Sequence, residues 1–223
     1  MTEEAFLARL DEALASSVAR IRRSPFVEEL LGGPRARDLY RGYLREAYHY
    51  VRLTSGFTPL AARRMDPSLL ELRQWILHHS ADEMGHELMA REDLLELGDH
   101  AASIEGSRPG PGTLAWVHFF HYQVCVRPPF AALGVLYFLE GMAVALAPAV
   151  ASAVGRALGA GERDAVRFFR EHGELDQKHV SEQRTLIARH CIDEADREVV
   201  LETVEQAGYV KRFMLDALRE SVP

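Results

Sequence analysis

His172, Asp176 and His179 stand at i, i+4 and i+7 in the segment EHGELDQKH. A helix turns about 100° per residue, so the three side chains fall within about one-sixth of its circumference. The same stripe carries Ala165, Phe168, Phe169, Leu175, Leu186 and Ile187, which makes it the face that turns toward a core. Three ionisable groups are thereby aimed inward, where a charge without a partner is strongly unfavourable. Glu140 poses the same problem, being the one charged residue between Arg127 and Arg156. Glu83 and His86, in ADEMGHELM, stand one turn apart and in line with Leu72, Ile76, Ala90 and Leu94. Three helices thus direct carboxylates and imidazoles at one interior. That mixed oxygen and nitrogen set suits two iron ions, with manganese as the alternative, and offers nothing to thiolate-seeking metals. Two divalent ions carry four positive charges, most of which three carboxylates offset, so the charge count favours a pair of ions over one. Glutamates and spaced histidines on facing helices are how helical bundles hold dinuclear iron. Each piece alone has a plainer explanation: E-x-x-H is common on helix surfaces, and a lone buried Glu can pair with an arginine. Their conjunction carries the expectation that Glu83, His86, Glu140, His172, Asp176 and His179 are the metal ligands and the catalytic centre.

The elements that must position these residues are helices. Apolar residues recur at three- and four-residue intervals almost throughout, and alternating β-branched runs are missing. Pro and Gly breaks at 24–25, 32–34, 66–67, 106–112, 128–129 and 159–161 leave about seven helices. They run roughly over 2–23, 35–65, 68–97, 113–127, 129–157, 162–190 and 193–220, with a short turn near 25–31 and an N-cap at Asp193. No repeat, low-complexity tract or linker divides residues 1–223, which read as one domain. The stretch around Glu140 is long enough to cross a bilayer, but a charge at its middle and amphipathic neighbours favour a buried core helix.

Composition narrows the function further. Hydrophobic residues make up 48% and charged residues 26% of 223, the profile of an ordinary globule. A formal charge of -7 leaves no basic field for a nucleic-acid backbone. The N-terminus lacks a basic start followed by an apolar run, so a cytoplasmic chain is expected, with no membrane partner. Cys125 and Cys191 lack C-x-x-C spacing and read as buried free thiols.

With those ligands in view, the chain resembles the haem-oxygenase-like diiron oxidases and oxygenases over nearly its whole length. That superfamily also holds the thiaminase-type TenA proteins and the pyrroloquinoline-quinone synthase. The family order is a Glu and His on one core helix, a Glu on the next, then H-x-x-x-D-x-x-H. Here it reads Glu83 and His86, then Glu140 in YFLEGMA, then His172, Asp176 and His179. LYRGYLREAYHYVRLTSGF is similar to the early helix of TenA-type members, with Ala47 where those enzymes place a pyrimidine-binding Asp, which argues against thiamine-salvage chemistry. The resemblance implies a single all-α haem-oxygenase-like bundle and a non-haem diiron oxidoreductase. One iron would be held by Glu83, His86 and His172, the other by Glu140, Asp176 and His179. O2 would oxidise a small amino-acid-like, amine or fatty-acid substrate, by C–H abstraction with cleavage or decarboxylation or by N-oxygenation. An external electron donor and a homodimer fit the same family. One branch consumes its own tyrosine and takes nitrogen from a lysine; with lysine only at 178 and 211, composition argues against that chemistry.

Rival readings stay open. Glu46, Glu83–His86, Glu140 and Asp176–His179 also spell a ferritin-like four-helix order, which leaves His172 unexplained. The same acids and imidazoles could serve a cofactorless oxidase, a thiaminase-type enzyme or a metal-free small-molecule binder, and an iron store or purely structural bundle is a third class. Glu46 is expected beside the ligands, with an extra ligand or a substrate contact as its alternatives; His79 is expected either beside them or as a satisfied core histidine, and His118 and His121 are pocket candidates. Tyr43, Tyr50, Tyr122 and Tyr137 are candidate redox relays, though packing explains them more simply. The arginines at 37, 41, 45 and 52 are either a carboxylate site or solvated helix faces.

Overall fold

The computed structural model describes residues 1–158 and 165–223, with the side chains of Glu174 and Leu175 outside that description. Local capping fixes where several elements begin. Thr2 accepts from the Ala5 amide at 3.2 Å and starts α1 (Glu3–Arg22), whose first turn is acidic and last turn basic, as the helix dipole favours. Ser24 accepts from the Val27 amide and Pro25 fills the first position of α2 (Pro25–Gly32). The long α3 (Ala36–Arg64) contains Pro59, which cannot donate to the Ser55 carbonyl one turn back. Ser80 supplies the missing donor at 3.2 Å and ties α4 (Leu70–Asp82) to α3.

After α5 (Glu87–Glu96) and the one-turn α6 (Ala101–Glu105) come α7 (Pro111–Cys125) and the central α8 (Ala131–Ala157). The chain ends in α9 (Arg167–His190) and α10 (Glu194–Ser221). Apolar on every side, α8 can be satisfied only by neighbours all round, and α9, α10, α1, α2, α3 and α7 surround it. Gly134 lets α8 and α10 approach closely: a Cβ there would lie 2.7 Å from the Val200 carbonyl oxygen. Phe6, Tyr40, Trp116, Tyr137 and Phe138 are fully buried, and cutting one back to alanine would cost about 3–5 kcal/mol.

The single all-helical bundle is the expected architecture, and ten helices are present among the described residues against the seven anticipated. Part of the difference is the predicted 68–97 helix, which divides because Gly85 adopts φ +97, a conformation open to glycine and strained for other residues. The turn near 25–31 is a full two-turn helix, and the Gly-rich stretch before α7 is preceded by α6. The start of the helix expected at 162, and the side chain of Leu175, lie outside the described residues. Among the described residues, α8 alone is long and apolar enough to cross a membrane, yet most of its apolar length is buried in protein, as in a core helix.

Candidate metal centre

Glu140 projects from the middle of α8 and is 6% exposed. One carboxylate oxygen lies 3.3 Å from His79 Nε2 on α4, the other 3.5 Å from His179 Nδ1 on α9. Beside this pair, in the turn between α4 and α5, His86 Nδ1 lies 3.1 Å from Glu83 Oε2. The His86 ring stands edge-on to His172, centroids 5.0 Å apart, and His79 stands edge-on to His179 at 4.8 Å.

Two overlapping groups of potential ligand atoms result. One takes an atom from each of His79, Glu83, Glu140 and His179, the other from Glu83, His86 and His172; within each group the atoms lie within 4.8 Å of one another. Glu83 belongs to both and so stands between two ion-sized positions. Asp176, 2% exposed, is in neither group; its carboxyl packs against that of Glu140. All six residues expected from sequence therefore converge, with Asp176 behind Glu140 and His79 inserted into its place.

Orientation is set by groups outside the cluster. His172 Nδ1 donates to the Phe168 carbonyl at 2.7 Å, which leaves Nε2 with its lone pair free. The His86 Nδ1 bond to Glu83 does the same for that ring. Trp75 stacks on His79 with planes 7° apart and fixes its tilt.

The electrostatics fit a cation. Burial, then the Glu83 charge, pushes the Glu140 carboxyl well above the usual range, and burial with the adjacent Glu140 carboxyl does the same to Asp176. Without a cation the two are compatible only if a proton lies between them. Burial alone would raise Glu83 too, but the hydrogen bond from His86 and three nearby imidazoles bring it down to about 2. Burial pulls His79 down to about 4 and lowers His172, so both present neutral nitrogens, the form that binds metal. His79 Nδ1, Glu83 Oε1, Glu140 Oε2, Asp176 Oδ1 and His179 Nδ1 are all buried without a hydrogen-bond partner. Unmet atoms of this kind on five converging side chains, all acids and imidazoles, are what a pair of hard-to-borderline cations would satisfy.

The cluster opens on a cavity of about 120 Å³. Its walls are mostly apolar, with Phe26, Leu136, Leu146 and Phe168 among them, and Tyr43 and Tyr50, which also line it, have their hydroxyls 2.8 Å apart. Lys211 of α10 also lines it and is fully buried. The scarcity of lysine is therefore no argument about the site, since one of the two lysines is in the cavity wall.

Other expected pocket residues lie elsewhere. His118 and His121 are exposed on α7, His121 edging Phe57, because the buried face of that helix is the Thr113–Trp116–Phe120 side. Tyr122 is 47% exposed, and Tyr137 donates to Asp11 at 3.1 Å, so neither leads to the cluster. Glu46 accepts from the Gly110 amide at 3.0 Å and holds the start of α7, so it does not fill the ligand position that a ferritin-like reading gave it. Arg41 and Arg45 both bind Asp99, and Arg52 lies over the Tyr48 ring. Both cysteines are free, Cys191 buried and Cys125 partly so.

The sequence model of a family described as iron-containing redox enzyme matches residues 41–209. Over 220 residues the chain is 23% identical to a 4-aminobenzoate synthase of Chlamydia muridarum, covering 96% of this chain and 90% of that protein. A domain of unknown function with a heme oxygenase-like fold from Shewanella denitrificans superposes with a TM-score of 0.86 at 24% identity, over 96% of this chain and 92% of that one. A TenA homologue from Pseudomonas syringae does so at 0.82 and 14% identity, over 99% and 96%. A shared fold is what these two superpositions establish.

Proposed function

Because the chain belongs to the iron-containing redox enzymes, we propose that it is an O2-dependent diiron oxidase or oxygenase acting on a small organic substrate held in the cavity. Glu83, His86 and His172 would hold one iron, and Glu140, His179 and Asp176 the other, with Glu83 between them and His79 as an additional nitrogen donor. Iron bound there would supply electrons that activate O2, the oxidant for a C–H or N–H bond, with the remaining electrons drawn from the substrate or an external donor.

The remaining tasks belong to side chains. The Phe168 carbonyl and Glu83 hold His172 and His86 in the tautomers that leave Nε2 unprotonated. Glu140 and Asp176 keep a proton between them when no cation is present and would surrender it when one binds. Trp75 prevents His79 from turning away. The apolar walls exclude water and keep the substrate beside the cluster. The observation that carries this reading is the set of five buried, unpartnered acid and imidazole atoms around one point.

Protein refilled anaerobically with Fe(II) and desalted should hold close to two irons per chain by elemental analysis; far less than one would end the proposal. The name of the Chlamydia relative places 4-aminobenzoate among the products to assay beside O2 uptake.

A further inference from the structure

Among the described residues, Lys211 is the one buried basic side chain of the cavity wall that the metal centre leaves unused. It interrupts the buried stripe of α10, which around it carries Val204, Ala207, Met214, Leu215 and Leu218. Its ammonium is completely enclosed and faces the Tyr50 ring at 3.7 Å and the Trp116 ring at 4.8 Å. Aromatic faces are where a desolvated cation sits best, yet they return no charge and accept no strong hydrogen bond. Among the described residues Nζ has no hydrogen-bond acceptor, and no carboxylate pairs with it. The indole N–H of Trp116 is likewise buried without an acceptor. Two donors and no acceptor are therefore gathered at one place. Burial by itself pulls the ammonium down to about 7, so the fold carries an unfavourable charge that a counter-ion would relieve.

The acids of the molecule's centre lie beyond Tyr50, whose ring the ammonium faces and whose surroundings include the charges of Glu83 and Asp176. The cavity thus has an acid and imidazole pole that calls for cations and a second pole that calls for an anion, with apolar wall between. A single ammonium balances one negative charge, which selects a monoanion over a phosphate dianion.

We infer that Lys211 is the anchoring site for the carboxylate of an otherwise apolar substrate, holding it by the end remote from the metal cluster. This rests on the cavity being the substrate pocket of the function proposed above. Among the described residues no hydroxyl or acid lies within hydrogen-bond reach of Nζ to assist covalent chemistry at the amine, so the role is binding and orientation.

Calorimetric titration of the full chain with octanoate and with 1-octanol tests this, on anaerobic iron-loaded protein and in parallel after chelation. Octanoate should bind at least about tenfold more tightly than octanol in both samples, the factor that a hydrogen bond to a charged group gives. Lys211→Met, similar in length and uncharged, should bring octanoate down to the affinity of octanol and leave octanol binding unchanged. Equal affinities for the two ligands in the unaltered protein would overturn the inference without any variant. So would undiminished octanoate binding by Lys211→Met, or octanoate binding that vanishes on chelation, which would put the carboxylate on iron. Loss of the Lys211 amine during turnover, read by peptide mass, would overturn it too, because the lysine would then be a reactant. Iron content counted on the same samples decides the metal reading separately.

Discussion

Asp93 on α5 and Asp176 on α9 are both buried aspartates, and their surroundings differ in one respect. Asp93, wholly enclosed on α5, accepts from Tyr40 at 3.0 Å and from the backbone amides of Arg167 and Phe168 at 3.2 and 2.9 Å. It caps the start of α9 and so sets the position of the helix that carries His172, Asp176 and His179. Asp176 is nearly as enclosed, but it meets another carboxyl, and one of its oxygens has no partner. Burial raises the carboxyl of each. Burial alone therefore does not mark a functional acid; what separates the two is whether the fold supplies its donors.

The sharpest break between the regions is in activity. His172→Ala should lower O2 uptake by more than about a hundredfold, since even the indirect partners of metal ligands are worth ten- to hundredfold. The same variant should melt within a few degrees of the parent in metal-free form, and undiminished uptake would remove His172 from the centre. Asp93→Ala inverts the pattern. It strands two backbone amides and a tyrosine hydroxyl, so a loss of about 3 kcal/mol or more in a denaturant titration is expected with or without iron. A loss that iron abolishes would mean that Asp93 belongs to the metal site.

The difference between these regions also explains what was legible beforehand. His172, Asp176, His179 and Glu140 were readable because helical periodicity places a residue on a face without knowledge of its neighbours. Glu83 and His86 were found by the same rule, although they sit in a turn that Gly85 opens and not on a continuous helix. Their convergence survives because three residues span a similar distance either way. His79 was set beside the centre, not in it, since which nitrogen reaches Glu140 depends on the α4–α8 packing and on Trp75. Lys211 enters the sequence reading only as part of a lysine count, although a sharper signal is present: a lone lysine at a core position of the α10 stripe. His118 and His121 misled because α7 is apolar on both faces, leaving periodicity no preference between them. Glu46 and Asp93 owe their roles to contacts 64 and 74 residues distant in sequence, which no local pattern encodes.

A subtler comparison sets Asp176 against its own neutral analogue. Its folded carboxyl is raised above the unfolded value, so the metal-free protein keeps that contribution at acid pH and loses it as pH climbs through the folded value. Asp176→Asn should therefore stabilise metal-free protein by about 1 kcal/mol at pH 8 relative to pH 4, while weakening iron binding by about tenfold or more. For the same reason, adding Fe(II) to the unaltered protein at pH 7 should release protons, measurable by an indicator dye. Stability that is lost on Asp176→Asn at pH 8 would show Asp176 to be satisfied in the manner of Asp93.

A last comparison concerns the opposite pole of the cavity. Lys211 is held down to about 7 by burial, against 10.5 in the unfolded chain. Between those values the unfolded state binds a proton that the folded state lacks, so this group's contribution to stability grows as pH rises from about 7 toward 10 and is absent below. Its limiting slope is about 1.4 kcal/mol per pH unit. Cys191, raised by burial to about 12, pulls the other way once pH exceeds the ordinary thiol range, which confines the useful window to roughly pH 7–9. Subtracting the profile of Lys211→Met from that of the parent cancels every other group, and the difference should narrow steadily across the window from a more stable variant at pH 7. A flat difference would mean that the ammonium already has a counter-charge in the folded protein, and the two poles of the cavity would then cease to be opposites.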